Sequence, residues 1–369
     1  MSSAFSDFHL KGHDFDNRFV VAPMTRTSAQ ANGVPSELMG DYYERFAKGG
    51  FPLIITEGTY TDQEASQGYE NQPGISDAPQ TDGWKKIVER VHKAGGKMIL
   101  QLMHAGSQFQ YNRFTDTPIA PSAVKPKGEP LSLYGDVPGW PEPKQMEEHD
   151  FDIVMNGFIG AVNRAQEAGF DGVELHAANG YLLNEFLSDY FNQREDKWGG
   201  SIEKRLQFVE MVVKAAKSAA DDDFIVGIRL GQITVTDPDY QWPGGAEDWE
   251  KIVSHLAKAG VDYIHTTDTD VMRKNLKDSD KTLAEVVQEV SDIALIVNGN
   301  ISEKNYEHVA AHYPNALLAL GKKALANPDF PERVKNPDQV KDLDFAMLQP
   351  KATLENEWKW REQNEESAS

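Results

Sequence analysis

One arrangement of apolar and polar positions recurs along the chain: an amphipathic stretch, a small residue with glycine, then a short aliphatic or β-branched run. It appears as FAKGGFPLIITEG at 46–58, HKAGGKMILQL at 92–102, QEAGFDGVELH at 166–176 and AKAGVDYIHTT at 257–267. The amphipathic parts predict helices packed on a core, and the continuous apolar runs predict strands buried on both faces. Gly50, Gly95, Gly169 and Gly260 stand where each helix ends. There the chain turns through φ > 0, which glycine alone accepts without strain. The phrase is therefore an αβ unit, used repeatedly.

Four further runs, NRFVVAP (17–23), FIVGIRL (224–230), ALIVNGN (294–300) and ALLALGK (316–322), bring the strand candidates to eight. Eight strands alternating with helices predict an α/β fold of the (β/α)8 TIM-barrel class. An open doubly wound sheet is the rival, but its usual G-x-G-x-x-G turn after an early strand is missing. Residues 105–146, between the third strand and a helix near Glu147, are rich in Pro, Gly and Ser. So long a connection predicts a lid over one barrel end. Further long loops are predicted at Gly231–Gly245 after the fifth strand and Thr267–Lys281 after the sixth. The organisation expected is a barrel over 1–335, lid included, and a tail over 336–369 with Trp358 and Trp360 in a charged helical pattern. That tail packs either on the barrel or on a partner subunit.

In such a barrel, chemistry gathers just beyond the C-terminal ends of the strands. The polar residues at those places are Thr25, Glu57, Thr59, Gln101, His104, His176, Asn179, Tyr181, Arg229, Asn298, Asn300 and Lys322. Singly, each has an ordinary structural reading: a satisfied core histidine, an ion-pair partner, a phenol packed beside Leu182 and Leu183. Their coincidence at one rim is what points to a site. After the last two strands, VNGN (297–300) and LGK (320–322) place glycines, backbone amides and Lys322 where barrels commonly hold a phosphate group.

Composition narrows the partners. The chain has 369 residues and no cysteine, which removes disulfides, thiolate zinc sites, cysteine nucleophiles and cysteine-held iron–sulfur clusters. A formal net charge of −21 repels nucleic acid and anionic membrane surfaces, so neither is an expected partner. No N-terminal apolar leader and no long apolar run is present, and the expected location is cytoplasmic.

Six ordered motifs add a resemblance. NRFVVAPMTR (17–26), ITEGT (55–59), QLMHAG (101–106), HAANGYLLNEFL (176–187), REDKWGGS (194–201) and ALANPDFP (324–331) together resemble the Old Yellow Enzyme family of FMN-dependent ene-reductases, over nearly the whole chain. The resemblance implies a flavoprotein NAD(P)H oxidoreductase of the NADPH dehydrogenase type, with tightly bound, non-covalent FMN and NADPH or NADH as reductant. It implies that Pro23, Met24, Thr25 and Gly58 lie along the flavin ring, Gln101 bonds its pyrimidine edge, and Arg229 offsets negative charge on the reduced ring. Gly299, Asn300, Gly321 and Lys322 would hold the phosphate. His176 and Asn179 would bind the carbonyl oxygen of an activated alkene (an enone, maleimide or nitroalkene), and Tyr181 would protonate its α carbon. No metal is implied.

Some positions depart from the family pattern. Lys322 stands where an arginine is common, which keeps the charge but loses the two-pronged fork. Ser107 replaces an arginine, Glu195 a threonine and Trp198 a tyrosine. Asn179 in place of a second histidine, and Thr25 with no nearby cysteine, point to the yeast-type branch. The absence of cysteine argues against the larger iron–sulfur relatives, and a chain ending soon after the barrel points the same way. A flavin-free phosphate-binding aldolase or isomerase would leave Gln101 and Tyr181 unexplained, and a flavin-storage protein would not need His176, Asn179 and Tyr181 together. The physiological alkene, the choice between NADH and NADPH, and whether the chain works as a monomer or a homo-oligomer stay open, with Met103 and Tyr240 as side chains that could set substrate scope.

Overall fold

The computed structural model describes residues 3–365; the ends of the expected barrel and tail ranges, 1–2 and 366–369, lie outside the described residues. Eight parallel strands close on themselves: β1 (Phe19–Val21), β2 (Leu53–Ile55), β3 (Lys97–Met103), β4 (Gly172–Asn179), β5 (Ile225–Thr234), β6 (Tyr263–Thr267), β7 (Ala294–Asn298) and β8 (Ala316–Leu320). Each pairs with its neighbours in sequence, β8 with β1 completing the ring, so the fold is the TIM barrel expected. The helices between them include α1 (Glu37–Lys48), α2 (Ala78–Lys93), α3 (Glu148–Glu167), α4 (Ile202–Ala219), α5 (Gly245–Ala259), α6 (Leu283–Val290) and α7 (Tyr306–His312). Gly50, Gly95, Gly169 and Gly260 all take φ between 85° and 93°, as their positions after helices require. The fifth strand runs on to Thr234, so the loop expected from Gly231 begins after it.

Side chains alternate along every strand with period two, and the two faces differ in chemistry. Outward residues such as Val21, Ile54, Leu100, Val173, Ile228 and Leu318 pack against the helices in one large apolar core. Inward residues Val20, Leu53, Ile99, Ile225, Ile296 and Leu317 fill the lower lumen, with Leu10 and Phe15 in the same cluster. Those two belong to an N-terminal hairpin, Phe8–Leu10 paired with His13–Phe15. Gly227 is required here by close approach, because a Cβ on it would lie 2.1 Å from the Tyr263 ring.

Above this apolar layer the lumen turns polar. Glu174, fully buried, receives Tyr263 Oη at 2.9 Å and His265 Nδ1 at 2.8 Å on one oxygen, and Gln101 Nε2 at 2.8 Å on the other. Burial alone would push this carboxyl up, but His265, Arg229 and Gln101 hold it below the ordinary range. A buried carboxylate with three donors is satisfied, and it fixes the groups around it.

The tail lies against the barrel. Its helix, Leu354–Glu365, is held by Glu357, which bonds Arg26 Nη1 at 2.5 Å, Arg45 Nη1 at 2.6 Å and Arg361 Nε at 2.8 Å. Arg45 also lies over the Trp358 ring at 5.1 Å. Among the described residues, no helix is long and apolar enough to cross a membrane.

Candidate active site

A cavity of about 370 Å³ opens at the C-terminal end of the barrel. Its lining brings together Pro23, Met24, Thr25, Gly58, Gln101, His176, Asn179, Tyr181, Arg229, Asn298, Gly321 and Lys322, from residues scattered over three hundred positions. A second cleft, lined by Gly299, Asn300, Ser302 and Lys323, shares Asn298, Gly321, Lys322, Leu343 and Phe345 with the first. All thirteen residues expected to bind cofactor or act on substrate therefore border one continuous region.

Local geometry explains how β4 delivers three polar groups. Glu174 and His176 share the inward face, so His176 reaches the rim directly above the polar layer. Asn179 and Gly180 then both take left-handed backbone, φ 62° and 89°, turning the chain so that Tyr181 comes back against His176 with ring centroids 4.9 Å apart. The turn is braced from several sides. Asn184 Oδ1 accepts from Gly180 N at 2.8 Å, Asn184 Nδ2 donates to Gly231 O at 2.9 Å, and Gln108 Nε2 donates to the Asn179 carbonyl at 2.5 Å.

The electrostatics of these groups suit neutral hydrogen-bond donors. Burial, and then the positive charge of Arg229, hold His176 well below the usual histidine range, so its imidazole is neutral at physiological pH. Its Nδ1 is buried with no protein partner. Burial likewise raises the Tyr181 phenol, which keeps its proton. The Tyr181 hydroxyl lies 2.5 Å from that of Tyr69.

On the cavity floor, Arg229 Nη2 donates to Asn298 Oδ1 at 2.8 Å and Thr267 Oγ1 at 3.1 Å, while its Nε is buried and unpartnered. A buried guanidinium N–H without a partner, in a side chain that borders the cavity, calls for an acceptor. Gln101 has committed its amide N–H to Glu174, which leaves its carbonyl oxygen for the occupant. In the second cleft Lys323 is engaged by Glu303 at 2.8 Å and Asp342 at 2.7 Å. Lys322 has no carboxylate partner among the described residues and lies 5.6 Å from the Phe345 ring centre. A planar group with hydrogen-bonding edges and an anionic tail fits this donor set, and among the described residues no cluster of His, Asp and Glu could hold a metal.

Several expectations need correcting. Glu57 is buried behind the rim, where it accepts from Arg26 N at 2.9 Å, Thr27 N at 3.2 Å and Tyr43 Oη at 3.2 Å, and burial pushes it up to about 7. Thr59 bonds the Glu57 carbonyl, and His104 accepts from Gly106 N at 3.2 Å; neither lines the cavity. Tyr240 bonds Asp189 at 2.7 Å and does not line the cavity, whereas Met103 does. The sequence predicts a lid in 105–146 but singles out none of its cavity-lining side chains and gives the tail no part in the cover. Leu131, Leu133 and Tyr134 from the lid, and Leu343, Phe345, Leu348 and Ala352 from the tail, line the same cavity. Lid and tail also pack on each other, Leu133 and Tyr134 against Met347 and Leu348. Tyr69, behind Tyr181, gave no signal beyond its place in the loop after β2.

Known proteins are similar to this chain over most of its length. A family model described as the NADH:flavin oxidoreductase / NADH oxidase family matches residues 3–340. A putative 12-oxophytodienoate reductase 11 of Oryza sativa subsp. japonica is 32% identical over 330 residues, 87% of this chain and 86% of that protein. Morphinone reductase, solved in complex with tetrahydroNAD, superposes with a TM-score of 0.82 at 28% identity, over 94% of each chain. An old yellow enzyme homologue from Zymomonas mobilis superposes with a TM-score of 0.83 at 26% identity, over 96% of this chain and 99% of that one.

Proposed function

Since the chain belongs to the NADH:flavin oxidoreductase / NADH oxidase family, and so is a flavin-dependent NAD(P)H oxidoreductase related to the Old Yellow Enzymes, we propose that it reduces the activated C=C bond of α,β-unsaturated carbonyl compounds and related nitroalkenes and maleimides. The observation that carries this reading is His176, its Nδ1 buried and unpartnered, beside Tyr181 on the wall of the cavity floored by Arg229.

FMN is the flavin this site would take. Pro23, Met24, Thr25 and Gly58 would border its ring, Gln101 would accept from the pyrimidine N–H, and Arg229 would lie toward the ring edge that becomes negative. Gly299, Asn300, Gly321 and Lys322 would hold the phosphate. When bound, FMN accepts a hydride from the nicotinamide and supplies one to the alkene's β carbon.

The chain's own residues supply the rest. His176 and Asn179 bind one carbonyl oxygen from two directions, so negative charge developing there meets donors already in place. Tyr181 transfers its proton to the α carbon, and a phenol in an apolar wall is a donor that stays loaded at neutral pH. Lid and tail, with Tyr134 and Leu348, keep water from the reacting atoms.

The test is spectroscopic. Purified protein should be yellow, bleach with NADH or NADPH in the absence of oxygen, and regain its colour on addition of cyclohexenone. A colourless preparation unable to take up FMN, or a reduced flavin that no enone, maleimide or nitroalkene reoxidises, would overturn it.

A further inference from the structure

We propose that Tyr69 is a positioning residue for the proton-transfer step: its phenol donates to the Tyr181 oxygen, aims the Tyr181 proton into the cavity and stabilises the phenolate left when that proton departs. This inference rests on the reading of Tyr181 as the acid.

The two hydroxyl oxygens are 2.5 Å apart, so one of them must donate to the other. Tyr69 is 3% exposed and is not part of the cavity lining; it packs in a small apolar cluster with Met103, Ala105, Tyr181 and Tyr134. The Tyr134 ring covers it at a centroid distance of 5.0 Å. If Tyr181 donated to Tyr69, the Tyr69 hydrogen would point into this apolar shell with no other acceptor in reach among the described residues, which is unfavourable. In the opposite sense both hydrogens are used. Tyr69 donates to Tyr181, and the Tyr181 hydrogen faces the cavity, where a substrate lies.

The same geometry matters after transfer. As the enolate's electron pair forms the new C–H bond at the α carbon, the Tyr181 O–H bond breaks and its electrons stay on oxygen. That phenolate is buried, and Tyr69 is a hydroxyl already pointed at it. Tyr69 keeps its own proton throughout, and Tyr181 recovers its proton from water once product has left. A hydrogen bond from a neutral donor strengthens when its acceptor becomes an anion, so Tyr69 favours the transition state over the ground state.

Tyr69→Phe removes this donor and leaves the ring. Rapid-mixing measurements on the FMN-loaded enzyme should give flavin reduction by NADH within about twofold of wild type, and reoxidation by cyclohexenone slower by about ten- to a hundredfold, the size of a hydrogen bond to a charged group. In a Tyr181→Phe background the same substitution should change reoxidation by less than about twofold, because its acceptor is gone. Tyrosine labelled with ¹³C at the phenol carbon gives a readout independent of turnover: the Tyr181 ionisation should move to higher pH in Tyr69→Phe. Reoxidation unaltered by Tyr69→Phe, or slowed equally in both backgrounds, overturns the inference while leaving Tyr181 as the acid. Reoxidation unaltered by Tyr181→Phe overturns the acid reading and this inference with it. Should Tyr69→Phe fold poorly, 3-fluorotyrosine inserted at position 69 keeps the packing with a stronger donor. Reoxidation should then be at least as fast as in wild type, and a clear slowing counts against the inference.

Discussion

Gln101 and Glu174, on adjacent strands of the barrel, share a 2.8 Å hydrogen bond that decides which end of the Gln101 carboxamide faces the cavity. A carboxylate only accepts, so the amide nitrogen is bound below and the carbonyl oxygen is left above. Glu174→Gln abolishes that constraint, because a second carboxamide can donate to Gln101 and invite it to turn over. It also removes the anion that receives Tyr263 and His265. The expected cost is on the order of 3 kcal/mol of stability. FMN affinity, followed by quenching of flavin fluorescence, should fall about tenfold or more, the value of one buried hydrogen bond to the ring edge. A variant that binds FMN as tightly as wild type would show that Glu174 does not set the Gln101 orientation.

The tail helix should prove to be part of the cofactor site. Glu357 bonds Arg26, whose neighbour Thr25 lines the cavity, and the segment leading into the helix contributes Leu348 and Ala352 to the same wall. Burial would raise the Glu357 carboxyl, but Arg45 and Arg26 draw it down to about 2. A depressed carboxyl adds stability that is complete above its unfolded value near 4.5 and is lost as pH falls toward 2. Glu357→Ala leaves the buried Arg26 and the half-buried Arg45 without their anion and should cost about 3–5 kcal/mol at neutral pH. FMN should be released at lower urea concentration than global unfolding requires. Simultaneous loss of flavin and fold in the variant and wild type alike would argue that the tail is not separately coupled to the site.

Much of this was legible in the sequence for a physical reason. A barrel repeats one unit, so its helix-ending glycines, Gly50, Gly95, Gly169 and Gly260, and its apolar strands signal the fold several times over. The rim residues could be collected because strand ends are visible locally and the topology brings them together. Glu57 and His104 share that location, but local pattern does not tell whether a side chain points into the cavity or is satisfied behind it. The side chains of the lid and tail that cover the cavity were hidden for a different reason. Leu343 lies in irregular backbone, Phe345 and Leu348 lie in a four-residue 3-10 turn too short to show a period, and Leu133 and Tyr134, which pack against Leu348, are more than two hundred positions away. Tyr69 illustrates the same limit, since its meaning depends on one contact across 112 positions.

Asn179 allows the loss of a donor to be separated from backbone strain. Its φ of 62° is costless for glycine and costs about 1–2 kcal/mol for alanine. Asn179→Gly and Asn179→Ala should therefore slow enone reoxidation of the reduced enzyme alike, by on the order of a hundredfold, as expected for one lost donor to a developing oxyanion. Only the alanine variant should also lose thermal stability by the strain. Unequal rates in the two variants, tracking stability instead of the donor, would remove Asn179 from the carbonyl clamp.

Glu185 should make the enzyme less stable in alkali, and its neutral isostere should cure this. Its carboxyl is buried between the loops that carry His104 and Tyr181; one oxygen takes the Ser107 amide at 2.7 Å together with the Ser107 hydroxyl, and the other has no partner. Burial pushes the group up to about 8, against the hydrogen bonds from Ser107. The folded protein thus holds a proton that the unfolded chain releases near 4.5, so the contribution to stability is full below pH 4.5 and is lost as pH rises through about 8. Glu57, pushed up to about 7, acts in the same direction, so a single variant isolates only its own share. Glu185→Gln keeps an acceptor for Ser107 and cannot ionise. Melting temperatures of the variant and wild type should coincide near pH 5 and diverge above pH 7, with the variant higher by several degrees at pH 9. A constant difference across that range would mean that Glu185 stays ionised in the folded protein, held by a partner such as a buried water or a cation.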